Sequence, residues 1–151
     1  MIFSAKYFDS LTPSELYEIL RSRCAVFAVE QNIVCQDMDR IDYKSLHCMM
    51  TEKNGTVSAY LRAFYTDDAD TVAIGRVLTL EHGKGIGRIL MEKSLFSVIE
   101  LMKPKKLVLH SQCHAIGFYE KFGFEVCSEE FMEEGILHVE MKLELERKGE
   151  I

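Results

Sequence analysis

The chain has 151 residues, 48% of them hydrophobic and 28% charged, which is typical of one globular domain with its own core. A formal net charge of −6 disfavours a nucleic-acid partner, because phosphate binding needs clustered Lys and Arg, and mildly favours a cationic small substrate. No apolar run reaches the ~20 residues of a membrane span, and the first residues lack the features of a secretory signal. The odd number of cysteines, without CxxC spacing, indicates reduced thiols and a cytoplasmic location.

The first two elements are predicted to be a strand and a capped helix. Residues Ile2–Phe8 partly alternate, which predicts an edge strand. The run Thr12-Pro13-Ser14-Glu15 predicts a helix N-terminus: Thr12 is the cap, Pro13 takes the first helical position and Glu15 completes a capping box. We expect this helix to reach about Val29, with Ser22 on its solvated side.

Acidic residues accumulate after this helix, from Glu30 to Tyr43. Asp37, Asp39 and Asp42 could line a site for a cationic group. Alternatively, they could make local turn hydrogen bonds in a solvated loop, and this second interpretation is the one that the pattern favours.

A three-stranded antiparallel meander is predicted next. The dipeptide Asn54-Gly55 separates the strand-like runs 45–52 and 56–66, and both of its residues accept a positive φ, so it indicates a hairpin. An acidic turn at 67–70 leads into a third strand, Thr71–Leu80.

The third strand leads into a glycine-rich turn, Glu81–Gly87, and then into a helix that is expected to begin at Arg88. Alternating glycines leave backbone amides uncovered beside a helix N-terminus, which favours a bound phosphate. A P-loop is excluded because no Lys-Ser or Lys-Thr follows the last glycine. A dinucleotide fingerprint would need its third glycine at position 88, which is Arg, so this kind of site is excluded as well. A purely structural turn is also compatible with the pattern.

The helix after the turn should be followed by a parallel strand and a short helix. Pro104 ends the first helix, 107–110 reads as a buried strand, and His114–Phe122 reads as a helix. The long helix is predicted to bury an apolar face made of Ile89, Leu90, Leu95, Phe96, Ile99 and Met102.

Two strands are predicted to end the fold. They are Phe124–Cys127 and Leu137–Leu145, joined across 133–135, with a frayed charged tail from Glu146. The apolar last strand could pair across a homodimer. The order of elements predicts an α/β fold around one mixed sheet.

The glycine turn, His82–Arg88, resembles the acyl-CoA pyrophosphate loop of the GNAT N-acetyltransferases, usually written Q/R-x-x-G-x-G/A. The later run GFYEKFGFE resembles the family's C-terminal segment, in which a Tyr precedes an x-x-x-G-F turn. The segments RCAVFAVEQN, QDMDRID, IGRVLT and GILHVEM are similar to an ElaA-like branch. The resemblance covers about Ala5–Lys142, and one departure is His82, which stands where the pattern has Gln or Arg.

The resemblance implies a single GNAT domain over 1–151, with a core of about 5–142 and a mostly antiparallel sheet of about seven strands between helices. It implies acetyl-CoA as cosubstrate, no metal, and no nucleic-acid or membrane partner. The residues that it places along the cofactor are Val77, Leu78, Thr79, Gly83, Lys84, Gly85, Ile86, Gly87, Arg88, Gln112 and His114. Lys84 could equally be a solvated turn lysine.

For catalysis, the resemblance assigns Tyr119 as the proton donor to the leaving thiolate, although a core tyrosine is the alternative. Glu81 is one candidate base, alongside its interpretation as a surface glutamate. Glu30 and His47 are further candidates, and a relay through bulk water is another.

The leading hypothesis is direct acetyl transfer in a ternary complex to a primary amine of a small molecule or peptide. Cys113 could suggest a covalent intermediate, but a plain thiol is favoured. The residues expected near the acceptor are Glu30, Asp37 and His47. The competing hypothesis is a GNAT fold that binds acyl-CoA without turnover, as a sensor or partner subunit.

Overall fold

A computed structural model describes residues 1–145, and the predicted tail from Glu146 lies outside them. These residues form one mixed sheet of eight strands with helices on both faces, so the predicted α/β fold is confirmed. The helices are α1 (Pro13–Arg23), α2 (Ile86–Met102) and α3 (Ile116–Glu120). The strands are β1 (Ile2–Tyr7), β2 (Leu46–Thr51), β3 (Val57–Tyr65), β4 (Thr71–Thr79), β5 (Lys106–Gln112), β6 (Glu125–Val126), β7 (Phe131–Glu133) and β8 (Ile136–Glu144).

The strands follow the order β1-β2-β3-β4-β5-β8-β6, and β7 pairs with β8. Every pairing is antiparallel except that of β4 with β5. The predicted edge strand, meander and parallel pair are therefore confirmed, and Gly55 takes the expected positive φ of 91°. In residues 1–145, no helix combines the length and apolarity needed to cross a membrane.

The last hairpin differs from the prediction. Residues 133–135 join β7 to β8 rather than β6 to β8. The strand β7 is only three residues long, FME, and lies between glutamates. A run this short has no readable alternation, so its pairing with β8 leaves no local signal.

Helix α1 has the predicted capping box: Thr12 accepts a hydrogen bond from the Glu15 amide, and Glu15 accepts one from the Thr12 amide. Cys24–Glu30 continue the helix in a wider, π-type form. Ser22 is buried, against expectation, because its hydroxyl donates to the Ile19 carbonyl at 2.7 Å and so needs no water.

The sheet separates two apolar cores. Alternate residues of β3 point to opposite faces, so Tyr60 packs with Ile19 of α1 while Leu61 packs with Leu90 of α2. Tyr119 of α3 belongs to the α2 core. Both helices that follow the glycine turn therefore cover the face of the sheet opposite α1.

Helix α2 begins at Ile86, two residues before the expected start, and its buried face is also shifted. Phe96 is 69% exposed and Ile89 and Ile99 are exposed as well, so the predicted face is wrong at these positions. Five of the buried residues recur at every fourth position, and the sixth, Met91, adjoins one of them: Ile86, Leu90, Met91, Ser94, Val98 and Met102. Apolar residues occur on nearly every side of this helix, so the periodicity identifies the buried face poorly.

Candidate active site

The parallel strands β4 and β5 pair only along their first halves. Thr71–Ile74 pair with Lys106–Leu109, and the pairing stops there although both strands continue. Just beyond this point Arg76 has a φ of +53°, and the register between β3 and β4 shifts. A bulge of this kind bends a strand. We call the gap between the second halves of the two strands the β4–β5 opening.

One side of the β4–β5 opening is the edge of β4. Leu78 and Thr79 pair with Tyr60 and Ala59 of β3. Since the pairing with β5 has ended, the other edge of this segment faces the opening. Main-chain groups on such an edge can pair with an extended ligand as if it were an added strand.

The glycine turn lies at the end of this edge. Gly83 and Gly85 have φ values of +77° and +74°, and a Cβ built on either would have no neighbour within 4 Å. Gly85 is the N-cap of α2, so the turn presents backbone at the positive end of a helix dipole. This cradle fits a pyrophosphate.

The third glycine connects the turn to α3. A Cβ on Gly87 would lie 3.5 Å from Cζ of Phe118 and 3.5 Å from Cγ2 of Thr79. The first turn of α2 therefore packs directly against the residue that precedes Tyr119.

The charged residues of the turn are exposed and paired. Lys84 Nζ lies 2.6 Å from Glu81 Oε2, and Arg88 lies 3.8 Å from Glu92. The hydrogen bond from Lys84 lowers the pKa of Glu81. A carboxylate with a lowered pKa is a weaker base, which disfavours the predicted role of Glu81.

His82 contacts the end of the first helical segment. Its Nε2 lies 2.7 Å from Glu30 Oε1, and both side chains are exposed. This contact links the glycine turn to residues 24–30, and it places Glu30 at the rim of the site.

A cavity of about 670 Å³ occupies the β4–β5 opening and the face of the sheet beside α1. Its walls come from β3, β4, β5, α3, the residues after α1 and the β7–β8 hairpin. It brings together these predicted residues: Asp37, Val77, Gln112, His114 and Tyr119.

Tyr119 reaches the cavity from the α2 side of the sheet. Its ring packs edge-on against Phe118 and Phe124 and is 8% exposed. Burial raises the pKa of Tyr119 to about 12. The hydroxyl therefore keeps its proton at neutral pH, as a proton donor must.

Gln112 and His114 lie at the far end of β5. Gln112 Nε2 donates to Gln31 Oε1 at 3.1 Å, which ties β5 to the loop after α1. His114 is exposed at the cavity wall, and the Cys113 beside it is a free, half-buried thiol.

His47 does not belong to the site, so its predicted role is wrong. It is fully buried and does not line the cavity. Its Nδ1 lies 2.6 Å from the Tyr60 hydroxyl and its Nε2 lies 2.9 Å from the Asp42 carbonyl. Burial lowers the pKa of His47, so this ring is a neutral part of the core.

The acidic residues after α1 bind arginines of the same chain. Arg23, fully buried, donates to Asp42 Oδ1 at 2.6 Å and to Asp37 Oδ2 at 3.0 Å. Arg76 Nε donates to Asp37 Oδ1 at 2.9 Å, which fixes the bulge of β4 to this loop. The interpretation of a solvated loop is therefore wrong for Asp37 and Asp42.

Asp39 completes this arrangement through a bidentate contact, in which Arg62 Nη1 and Nη2 donate to its two oxygens at 2.8 and 2.6 Å. Burial opposes the charge on Asp39, but the Arg62 hydrogen bonds outweigh it and lower its pKa to about 2. We call the six residues Arg23, Asp37, Asp39, Asp42, Arg62 and Arg76 the arginine–aspartate network. The cationic groups that these aspartates bind are therefore arginine side chains of the protein itself.

The cavity is also lined by four residues to which the sequence pattern gives no site role: Arg76, His110, Glu133 and His138. Register explains part of this arrangement, because Gln112 faces His138 and His110 faces Glu140 across β5 and β8. His110, His138 and Glu140 lie on strands that the sequence predicts, 107–110 and 137–145, but the sequence carries no signal that these two strands pair.

Residues 19–145 match the acetyltransferase (GNAT) domain family. The chain is 43% identical to a UPF0039 protein of Schizosaccharomyces pombe, over 95% of this chain and 97% of that protein. It is 38% identical to protein ElaA of Escherichia coli, over 91% and 92% of the two chains.

Solved structures agree with the sequence comparisons. The E. coli ElaA structure superposes with a TM-score of 0.88 at 34% identity, covering 95% of this chain and 99% of that one. An acyl-CoA N-acyltransferase from Pseudomonas aeruginosa superposes with a TM-score of 0.87 at 32% identity, covering 94% and 99%. This chain therefore belongs to the GNAT acetyltransferase family and is similar to its ElaA members.

Proposed function

We propose that this protein is an acetyl-CoA-dependent N-acetyltransferase that transfers an acetyl group to a primary amine by direct attack in a ternary complex. The observation that carries the proposal is the succession of three features: a glycine turn with open backbone, an edge of β4 that no longer pairs with β5, and a cavity lined by Val77 and Tyr119. The similar protein from P. aeruginosa is named an acyl-CoA N-acyltransferase.

In this proposal, backbone groups would contact acetyl-CoA from its pyrophosphate to its thioester. The amides of Gly83–Arg88 would hold the pyrophosphate, and those of Ile86 and Gly87 among them belong to the first turn of α2. The side chains of Lys84 and Arg88 would add positive charge. The main chain of Val77–Thr79 would pair with the pantetheine arm, and one of its amides would polarise the thioester carbonyl. Gln112 and His114 would line the other side.

The cavity beside this path suits a cationic amine. Its charged lining comprises two arginines and four carboxylates, Arg62, Arg76, Asp37, Asp39, Glu133 and Glu134. The arginines are paired with the two aspartates, so the unbalanced charge is negative and lies on the β7–β8 hairpin. An amine that arrives as an ammonium ion would be attracted there.

Residues 1–151 would act as a single domain in this reaction. Three exposed free thiols, Cys24, Cys35 and Cys127, fit the reducing cytoplasm that we propose as its location. Acetyl-CoA and the amine would be its partners, and a homodimer through the last strand stays a prediction.

The test is CoA release, measured with a thiol dye, from acetyl-CoA and a panel of primary amines. We expect release that depends on the amine, with one CoA formed for each acetylated product. Tight binding of acetyl-CoA without transfer to any amine would instead favour the non-catalytic sensor.

A further inference from the structure

We propose that His110 is the base that removes a proton from the acceptor ammonium, and that Glu133 is the positioning residue that orients it. This proposal rests on the proposed function. It assigns the proton acceptor to a residue pair outside the glycine turn and outside the buried core.

His110 lies at the narrow end of the β4–β5 opening. Leu109 is the last residue of β5 that pairs with β4, and His110 follows it directly. On β4, the corresponding place after Ile74 is held by Gly75 and the bulged Arg76. A pantetheine arm laid along β4 from the glycine turn would run from Thr79 to Val77, towards this end. The thioester would therefore arrive beside His110.

The contacts of His110 leave one ring nitrogen available as a base. Its Nδ1 lies 2.8 Å from Glu133 Oε1. Because a carboxylate only accepts hydrogen bonds, Nδ1 carries the proton and Nε2 carries the lone pair in the neutral ring. The edge-on Phe131 ring, 5.1 Å away between centroids, holds the imidazole from β7. A base that a third group orients in this way is the usual arrangement for proton transfer.

Two side chains of β8 lie beside the His110–Glu133 pair. Glu140 of β8 places Oε1 at 4.0 Å from Nε2, and His138 of β8 lies 3.5 Å from Glu133 Oε2. His110 lines the cavity and is about half exposed, so a substrate and water can reach it. Within residues 1–145, no group of His, Cys, Asp and Glu is arranged to hold a metal ion.

The proton balance of the reaction is complete with these residues. Nε2 of His110 takes one proton from the ammonium, and the neutral nitrogen then attacks the thioester carbonyl carbon to form the C–N bond. As the C–S bond breaks, the sulfur takes a proton from Tyr119, and the nitrogen loses its second proton through water to restore Tyr119. His110 releases its proton to solvent, so one proton leaves for each amide formed.

The test compares two amines that differ in their need for a base. Benzylamine is an ammonium ion at neutral pH, whereas methoxyamine is already neutral. For His110→Gln we expect kcat/KM with benzylamine to fall about a hundredfold, and with methoxyamine by less than about threefold, because only the first needs the base.

Glu133→Gln tests the positioning role. Without this carboxylate, Nδ1 of His110 loses the acceptor that orients the ring, so kcat/KM with benzylamine should fall about tenfold while kcat/KM with methoxyamine should fall by less than about threefold. Glu144→Gln is the matched control, since it removes a carboxylate of β8 whose side chain is 3.5 Å from Lys142 and outside the cavity lining. Its activity and pH profile should equal those of the wild type.

Four results would overturn the proposal. Full activity of His110→Gln with benzylamine removes the base role, and so does an equal loss with both amines in a variant whose melting temperature is unchanged. A shift of melting temperature with an equal loss for both amines assigns His110 a structural role instead. A wild type that binds acetyl-CoA but releases no CoA with these two amines or with any other amine of the panel removes the proposed function, and the base role with it, so the two failures are distinguishable.

Discussion

The two sides of the β4–β5 opening offer different kinds of contact to a ligand. The β4 side, with the glycine turn, offers main-chain groups and a helix N-terminus, and its elements are consecutive in the chain. The other side offers side chains: those of β5, of the β7–β8 hairpin and of the loop after α1. Backbone recognition requires small residues at fixed spacing, which a sequence displays. Side-chain recognition draws on residues 23 to 81 positions apart, as the contacts Arg62–Asp39 and Gln112–Gln31 illustrate.

The largest expected effect is on the side-chain half, through Arg23→Met. This change removes one of the two arginines that pair with the buried Asp42 carboxylate. The loss of one partner of a buried ion pair typically lowers the free energy of unfolding by about 3–5 kcal/mol. Urea unfolding would measure the loss. The control is Arg21→Met, two residues away, whose exposed pair with Glu18 is worth less than about 1 kcal/mol. Equal losses would show that Arg23 contributes no more than a surface pair.

The backbone half is tested by Gly85→Glu. A side chain at φ +74° is strained, and its carboxylate would repel phosphates at the amides. We expect acetyl-CoA affinity to fall at least about a thousandfold, or about 4 kcal/mol. Titration calorimetry would measure it. The control is Gly55→Glu, which has the same kind of strain, at φ +91° with no neighbour within 4 Å. Because Gly55 lies in the β2–β3 turn, this variant should keep its affinity for acetyl-CoA. Retained affinity in Gly85→Glu would refute the assignment of the turn to the cofactor.

A third variant, Tyr119→Phe, separates binding from chemistry. The ring contacts with Phe118 and Phe124 stay, so acetyl-CoA affinity should be unchanged, while kcat falls about a hundredfold with the loss of the donor. Steady-state kinetics and calorimetry measure the two quantities. Tyr17→Phe, at an exposed position, should change neither. Unaltered turnover would remove Tyr119 from the mechanism.

The smallest expected effect is the pH-dependent contribution of Asp39 to the free energy of unfolding. Its pKa is lowered to about 2 in the folded protein, against about 3.9 in an unfolded chain. Its contribution of about 2 kcal/mol is therefore present above about pH 4 and is lost as the pH falls towards 2. Wild type and Asp39→Asn should differ in unfolding free energy at pH 6 and converge near pH 2. A difference that does not depend on pH would assign the effect to packing.

Local features of the fold were predictable from the sequence because their causes are local. The Thr12 capping box, the Asn54-Gly55 turn and the glycine turn each depend on the dihedral angles or hydrogen bonds of neighbouring residues. The strands of the meander followed from the turn signals that separate them, Asn54-Gly55 and the acidic residues 67–70. These elements were enough to order the sheet up to β5.

The remaining features depend on pairings that no short window contains. Asp37 meets Arg76 across 39 positions, so its acidic neighbours suggested solvent instead. His47 could be read as a base because its burial depends on Tyr60 and Asp42. The acceptor side was therefore the less predictable half of the site.

The packing of Gly87 against Phe118 couples the glycine turn to the position of Tyr119. Because the first turn of α2 packs on the residue next to Tyr119, a cofactor that orders this turn also restricts α3. Thermodynamic linkage then makes the effect reciprocal. Cofactor occupancy would stabilise the position of the proton donor, and substitutions in α3 that loosen Phe118 would weaken acetyl-CoA binding without touching the ligand.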